Sequence, residues 1–193
     1  MTTILLIRHA VNDWVKTGKL AGWTPGVHLN ELGQAQAEAL GERLAKTRLH
    51  AIYTSPLERT VETAEAIAKH HPHLQLQHLE NVGEVRYGAW QGQSLARLRR
   101  FKLWYNVQHH PIRVRFPEGE TMRAAQARIV DALEMLYARH PRQTVVVVSH
   151  SDIIKMAWRI TWGYTWTSSN ASTSRPPPSQ SWDWDPDNPL FIA

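Results

Sequence analysis

Apolar runs and stretches with helical spacing alternate along the first 150 positions. Positions 2–7 are rich in Ile and Leu and predict a buried strand. Asn30 stands where an N-cap is expected for a helix over 31–47, with Leu32, Leu40 and Leu44 on one face. Positions 51–54 predict a short second strand. Ser55, Pro56 and Glu58 then fit N-cap, N1 and N3 of a helix that opens with a capping box. That helix is expected to reach about Lys69 and to bury Leu57, Val61, Ala64 and Ala68. Positions 74–79 predict a third strand and 94–107 a helix. A longer helix is expected over 122–139, with Met122, Ile129, Leu133 and Leu136 as its stripe. Positions 144–148 hold four consecutive valines, the pattern of a strand covered on both faces.

Strands alternating with helices predict a parallel α/β sheet. Ligands bind such sheets outside the carboxyl ends of the strands. Three of the expected strands end in polar residues: Arg8-His9, Ser55-Pro56 leading to Arg59, and Ser149-His150. All three ends fall on one edge of the sheet.

Composition narrows the class. The chain has 193 residues, 42% hydrophobic and 20% charged, which suits one soluble domain with its own core. No apolar stretch approaches the length of a membrane span, and no basic leader precedes the first strand, so neither a membrane partner nor a signal peptide is expected. Cysteine is absent, which excludes disulfides and thiolate metal sites. A cytoplasmic location is the expectation. The net charge of +5 raises nucleic acid as a partner. The bases are mostly interspersed with acids, except around Arg97, Arg99, Arg100 and Lys102, so a basic mouth for a small anion is the preferred reading and no nucleic acid is expected.

Two histidines and two arginines on one edge need a reason to tolerate each other, and an anion supplies it. Arginine grips phosphate oxygens with paired, charge-assisted hydrogen bonds. Arg59, in the first turn of its helix, adds free N–H groups and the helix dipole. One imidazole can attack phosphorus, and the other can donate to oxygens on which charge builds.

The blocks "LLIRHA", "YTSPLERTVETA", "GEVRYGAWQG", "FPEGET" and "VVVVSHS" occur in this order. Together they resemble the signature blocks of the histidine phosphatase superfamily, in its phosphoglycerate mutase-like branch, over about Thr3 to Met156. The resemblance implies a three-layer sandwich, with a mostly parallel central sheet flanked by helices and a small helical cap. It implies that His9 is the nucleophile that becomes phosphohistidine. Arg8, Arg59 and His150 would form the phosphate pocket, with His150 as a catalytic group and Asn12 as a further phosphate contact. Glu84 would protonate the leaving alkoxide and then help water attack. No metal and no cofactor are implied. The substrate would be a small phosphorylated metabolite.

The chain also departs from the pattern. Ala10, Val11 and Val15 stand where the family usually carries Gly, Glu or Gln, and Asn, so the polar lining is thinner. These changes motivate an alternative, a non-catalytic binder of phosphate ligands. A phosphomutase is a second alternative. It needs a larger lid than a hydrolase, and the segment from Glu84 to His150 is compact, which favours hydrolysis. The bland readings are a buried structural His9, a surface Arg59, a solvated Glu84 and a packing role for Trp14, Trp23 and Trp90. The group His70, His71, His73 and His78 reads as an exposed loop rather than a metal site, because no carboxylates converge with it.

The chain divides into a catalytic domain over 1–156 and an atypical tail over 157–193. The tail holds five of the nine tryptophans with Ser, Thr and Pro punctuation, where the family continues with a helix and a final strand. That last helix and strand are expected to be missing or aberrant. A shifted reading frame permits an amphipathic helix there, so a frameshift and a disordered extension both fit.

Overall fold

A computed structural model describes residues 1–161. Among them, four strands form one parallel sheet: β1 (Thr3–Arg8), β2 (Ala51–Thr54), β3 (Leu76–His78) and β4 (Thr144–Ser149). The spatial order is β1-β4-β2-β3. In register, Arg8 faces Ser149 on one side of β4, and Thr54 faces Val148 on the other. Val145 to Val148 are fully buried, as four valines in a central strand should be.

The helices are α1 (Asp13–Lys16), α2 (Glu31–Leu44), α3 (Glu58–Ala68), α4 (Leu95–Leu98), α5 (Lys102–His109), α6 (Met122–Arg139) and α7 (Ser151–Thr161). Strand alternation sorts the core into two layers. Leu5, Ile7, Ile52, Val146 and Val148 pack with Leu40, Leu44 and Ile67 of α2 and α3. Leu6, Tyr53, Val145 and Val147 pack with Ile129 and Leu136 of α6 and Ile153 and Met156 of α7. Burying each such aliphatic side chain contributes roughly 1.5–3 kcal/mol. The result is the expected three-layer α/β sandwich, with α4 and α5 as the small cap.

Several local expectations are corrected. The capping box at Ser55 does not form. Leu57 stays extended (φ −78°, ψ 139°) at the N-cap without a side-chain cap, Ser55 contacts His150 instead, and Glu58 accepts from the Gly26 N–H. The inward face of α3 is Thr60, Thr63, Ala64 and Ile67, while Val61 and Ala68 are half-buried. Helix α2 ends at Leu44, and Leu32 is exposed because Gly33, Ala37, Leu40 and Leu44 make the inward stripe, one position round the helix. The helix expected over 94–107 breaks between Leu98 and Lys102 into α4 and α5. The third strand is only three residues long. His71 is buried, its ring contacting the Leu44 carbonyl, so the histidine group is not wholly exposed.

Helix α7 carries the chain across position 156, with Met156 and Ala157 both in the core. The readings made for the rest of the tail lie outside the described residues. No helix among the described residues is long and apolar enough to cross a membrane.

Candidate active site

The carboxyl tips of β1, β2 and β4 are tied together by backbone bonds. The His9 N–H donates to the Ser149 carbonyl (3.0 Å), and the Ser55 N–H donates to the Val148 carbonyl (3.0 Å). His9, Ser55, Ser149 and His150 therefore meet on one edge, all buried. The ring centroids of His9 and His150 are 5.3 Å apart.

Their proton positions follow from their partners. His9 Nδ1 lies 2.8 Å from the Ala10 carbonyl, which only accepts, so Nδ1 carries the hydrogen and Nε2 keeps its lone pair. The Ala10 N–H donates to Thr63 Oγ1 (3.1 Å), which fixes the turn after His9. His150 Nδ1 lies 3.3 Å from an Arg59 terminal nitrogen, which only donates, so Nδ1 accepts and Nε2–H donates to Ser55 Oγ (2.9 Å). Burial first, then the charges of Arg59 and Arg8, hold the His9 pKa at about 3. Burial and Arg59 also hold His150 well below its ordinary value. Both rings are thus neutral at physiological pH.

Arg59 is 1% exposed and donates from the same nitrogen to the Gly22 carbonyl (2.8 Å). Its other terminal nitrogen, and Nε of the half-buried Arg8, are buried without an acceptor. Unpaired buried donors of positive charge are costly unless an anion meets them.

Glu84 reaches the same place from the loop after a short 3-10 turn (Glu80–Val82). One carboxylate oxygen accepts from the Val85 N–H (2.9 Å), and the other lies 3.9 Å from His150 Nδ1. Burial, and secondarily the nearby Asp152, raise its pKa to about 7 against the opposing pull of Arg59 and Arg128. Asp152, in the first turn of α7, accepts from the hydroxyl of buried Tyr87 (2.7 Å).

Arg8, His9, Arg59, Glu84 and His150 are therefore brought together. Asn12 Oδ1 caps α1 by accepting from the Val15 N–H (3.1 Å). Trp90 packs in the core, and Trp23 donates from its indole to the Glu84 carbonyl under the Arg86 guanidinium. Sequence reasoning missed Ser55 and Thr63 as site supports, although both lie inside the block "YTSPLERTVETA". It also missed Tyr87, Asp152, Glu120 and Arg128. Among the described residues no group of three or more His, Asp or Glu side chains is placed to hold a metal ion.

The model of the histidine phosphatase superfamily (branch 1) matches residues 4–175. The chain belongs to this superfamily. This histidine phosphatase is 33% identical over 156 residues to phosphoserine phosphatase 1 of Hydrogenobacter thermophilus, covering 78% of the chain and 72% of the relative. It is 31% identical over 172 residues to the metal-independent phosphoserine phosphatase of Arabidopsis thaliana, covering 83% and 69%. A phosphoserine phosphatase mutant from Entamoeba histolytica in complex with phosphoserine has the same fold, with a TM-score of 0.76 at 25% identity, covering 85% of this chain and 81% of that one. Phosphoglycerate mutases also occur among its relatives.

Proposed function

We propose that this histidine phosphatase hydrolyses a small phosphorylated metabolite through a phosphohistidine at His9, without a metal or other cofactor. The observation that carries the reading is the tautomer of His9. Its Nδ1–H is held by a carbonyl and its Nε2 lone pair is neutral, beside two buried cationic donors without protein acceptors.

The steps follow from these placements. Arg8 and Arg59 hold the phosphoryl oxygens. His9 Nε2 attacks phosphorus as the bond to the substrate oxygen breaks, and protonated Glu84 gives its proton to that oxygen. A pKa near 7 suits the task, since a useful fraction is protonated at neutral pH. The bound dianion raises the proton affinity of His150, which then donates to the equatorial oxygens as charge builds. Water next attacks the phosphohistidine, Glu84 takes its proton, and orthophosphate leaves with His9 restored.

Hydrolysis is favoured over mutase chemistry by the compact segment between Glu84 and β4, whose only cap helices are the short α4 and α5. The phosphoserine phosphatases among the relatives support a small phosphorylated metabolite as substrate. Neither nucleic acid nor a membrane is part of this reading, and the cytoplasm is the proposed location. The test is release of phosphate from p-nitrophenyl phosphate in excess EDTA, with acid trapping of labelled protein. Turnover with an acid-labile, base-stable label on His9 is expected. Turnover no greater than that of His9→Ala from mildly acidic to neutral pH overturns the proposal and leaves the non-catalytic binder.

A further inference from the structure

We infer that Arg128 and Glu120 form the positioning unit for Glu84, setting where its carboxyl group meets the leaving oxygen. The inference rests on the reading of Glu84 as the general acid.

The segment from Glu80 to Tyr87 has one 3-10 turn and no strand, so its backbone groups must find partners outside any ladder. Arg128, on α6, supplies them. One terminal nitrogen donates to the carbonyls of Asn81 (2.8 Å) and Gly83 (2.7 Å), and the other donates to the carbonyl of Glu84 itself (2.8 Å). The remaining donors form a fork onto Glu120, at 3.2 Å from Nε and 2.7 Å from the second terminal nitrogen. Every N–H of the guanidinium is thereby used.

Glu120 grips the far side of the acid. Its Oε1 accepts from the Arg86 N–H (2.8 Å), and its own N–H donates to the Arg86 carbonyl (2.9 Å). The pair therefore holds the chain before, at and after Glu84. With side chains only 17% and 13% exposed, this paired contact is little screened by water. Lysine has neither the fork nor enough donors in the right directions.

Arg128 also acts by charge. It faces Glu84 from α6, Arg59 faces it from α3, Asp152 and Tyr87 lie beyond it, and His150 lies beside it. Removing Arg128 leaves Asp152 less opposed, so the proton on Glu84 is held more tightly.

The test compares ethyl phosphate, whose alkoxide needs a proton, with p-nitrophenyl phosphate, whose leaving group does not. Full-length wild type, R128A, R128K, E120Q, E84Q and the double variant E84Q/R128A are assayed in EDTA, with melting temperatures recorded. A misplaced acid should cost ethyl phosphate roughly 10- to 100-fold more in kcat/KM than p-nitrophenyl phosphate. R128K should resemble R128A, and guanidinium chloride should restore part of the R128A loss on ethyl phosphate alone. The basic limb of the R128A pH profile should move upward. In the E84Q background, R128A should add no further leaving-group dependence. If R128A does not fold, R128K and E120Q carry the same comparison. Equal losses on both esters, or none, in folded R128K and E120Q overturn the inference while a leaving-group effect in E84Q preserves the acid role. Absence of that effect in E84Q removes Glu84 as the acid, and the inference falls with it.

Discussion

At the tips of β1 and β4, Arg8 pairs with Ser149 in the ladder, and His9 and His150 follow one residue beyond it, with the His9 N–H on the Ser149 carbonyl. Across the pocket, Glu84 is placed by Arg128, Glu120 and Trp23, side chains drawn from three separate parts of the chain. The proposed phosphate half of the site inherits its geometry from the sheet. The proposed acid half is an irregular segment whose carbonyls are tied off one by one. The first should tolerate loss of a supporting side chain, and the second should not.

The largest effect is expected at His9. His9→Ala leaves the sheet and the arginines intact, so phosphate binding should persist while steady-state turnover disappears. Isothermal titration with inorganic phosphate, run beside the activity assay, checks both halves of that statement.

Glu84→Gln comes next. General acid help is worth about 10²–10⁴-fold, and the loss should approach that range for alkyl esters but stay small for p-nitrophenyl phosphate. A series of phosphate esters of graded leaving-group pKa measures the slope.

Ser55→Ala probes a support in the phosphate half. It leaves the His150 Nε2–H without its acceptor, a buried donor whose loss of partner costs about 1–3 kcal/mol. Because His150 sits between the end of β4 and the start of α7, with its carbonyl accepting from the Ile154 N–H, the expected fall in kcat is roughly tenfold or less, on both ester classes alike. A fall confined to alkyl esters would mean that the two halves are not separable.

Asp152→Asn should have the smallest effect. Glu84 donates only while protonated, so alkyl-ester hydrolysis declines as pH rises through about 7. Removing Asp152 removes an upward influence on that pKa, and the decline should begin at lower pH, visible in a kcat/KM profile on ethyl phosphate. The raised pKa also has a stability sign. Protonated Glu84 favours the folded state, a contribution fully present below the ordinary carboxylate range and lost as pH rises through about 7.

The same division governs what was legible in the sequence. The valines of β4 and the helix of α6 follow from local pattern, and so do the residues at the strand tips, because a strand's end announces where its next side chain goes. Glu84 was legible only through its motif. Its supports were not, because Arg128 lies on a helix more than forty residues away, and periodicity alone reads it as a solvated face. The cap that Asn12 gives α1 was not legible either, because a short polar side chain serves a helix cap as readily as a ligand. The break between α4 and α5 was hidden by a run of good helix formers.

The strand order has a kinetic consequence. β1 and β2 do not touch each other in the sheet, since each pairs with β4 from its own side. Thr3 meets Thr144 across that pairing, a span closed only after most of the chain exists. At about 5–20 residues per second of synthesis, β1 waits on the order of ten seconds for its neighbour. Meanwhile two apolar strands have bare edges, a state prone to aggregation and a natural client for chaperones. Such long-range closure also places the chain among slow folders in refolding experiments. Because His150 follows directly on β4, closing the sheet and completing the proposed phosphate pocket are one event, so a refolding chain should gain activity in step with its last tertiary signal and not before.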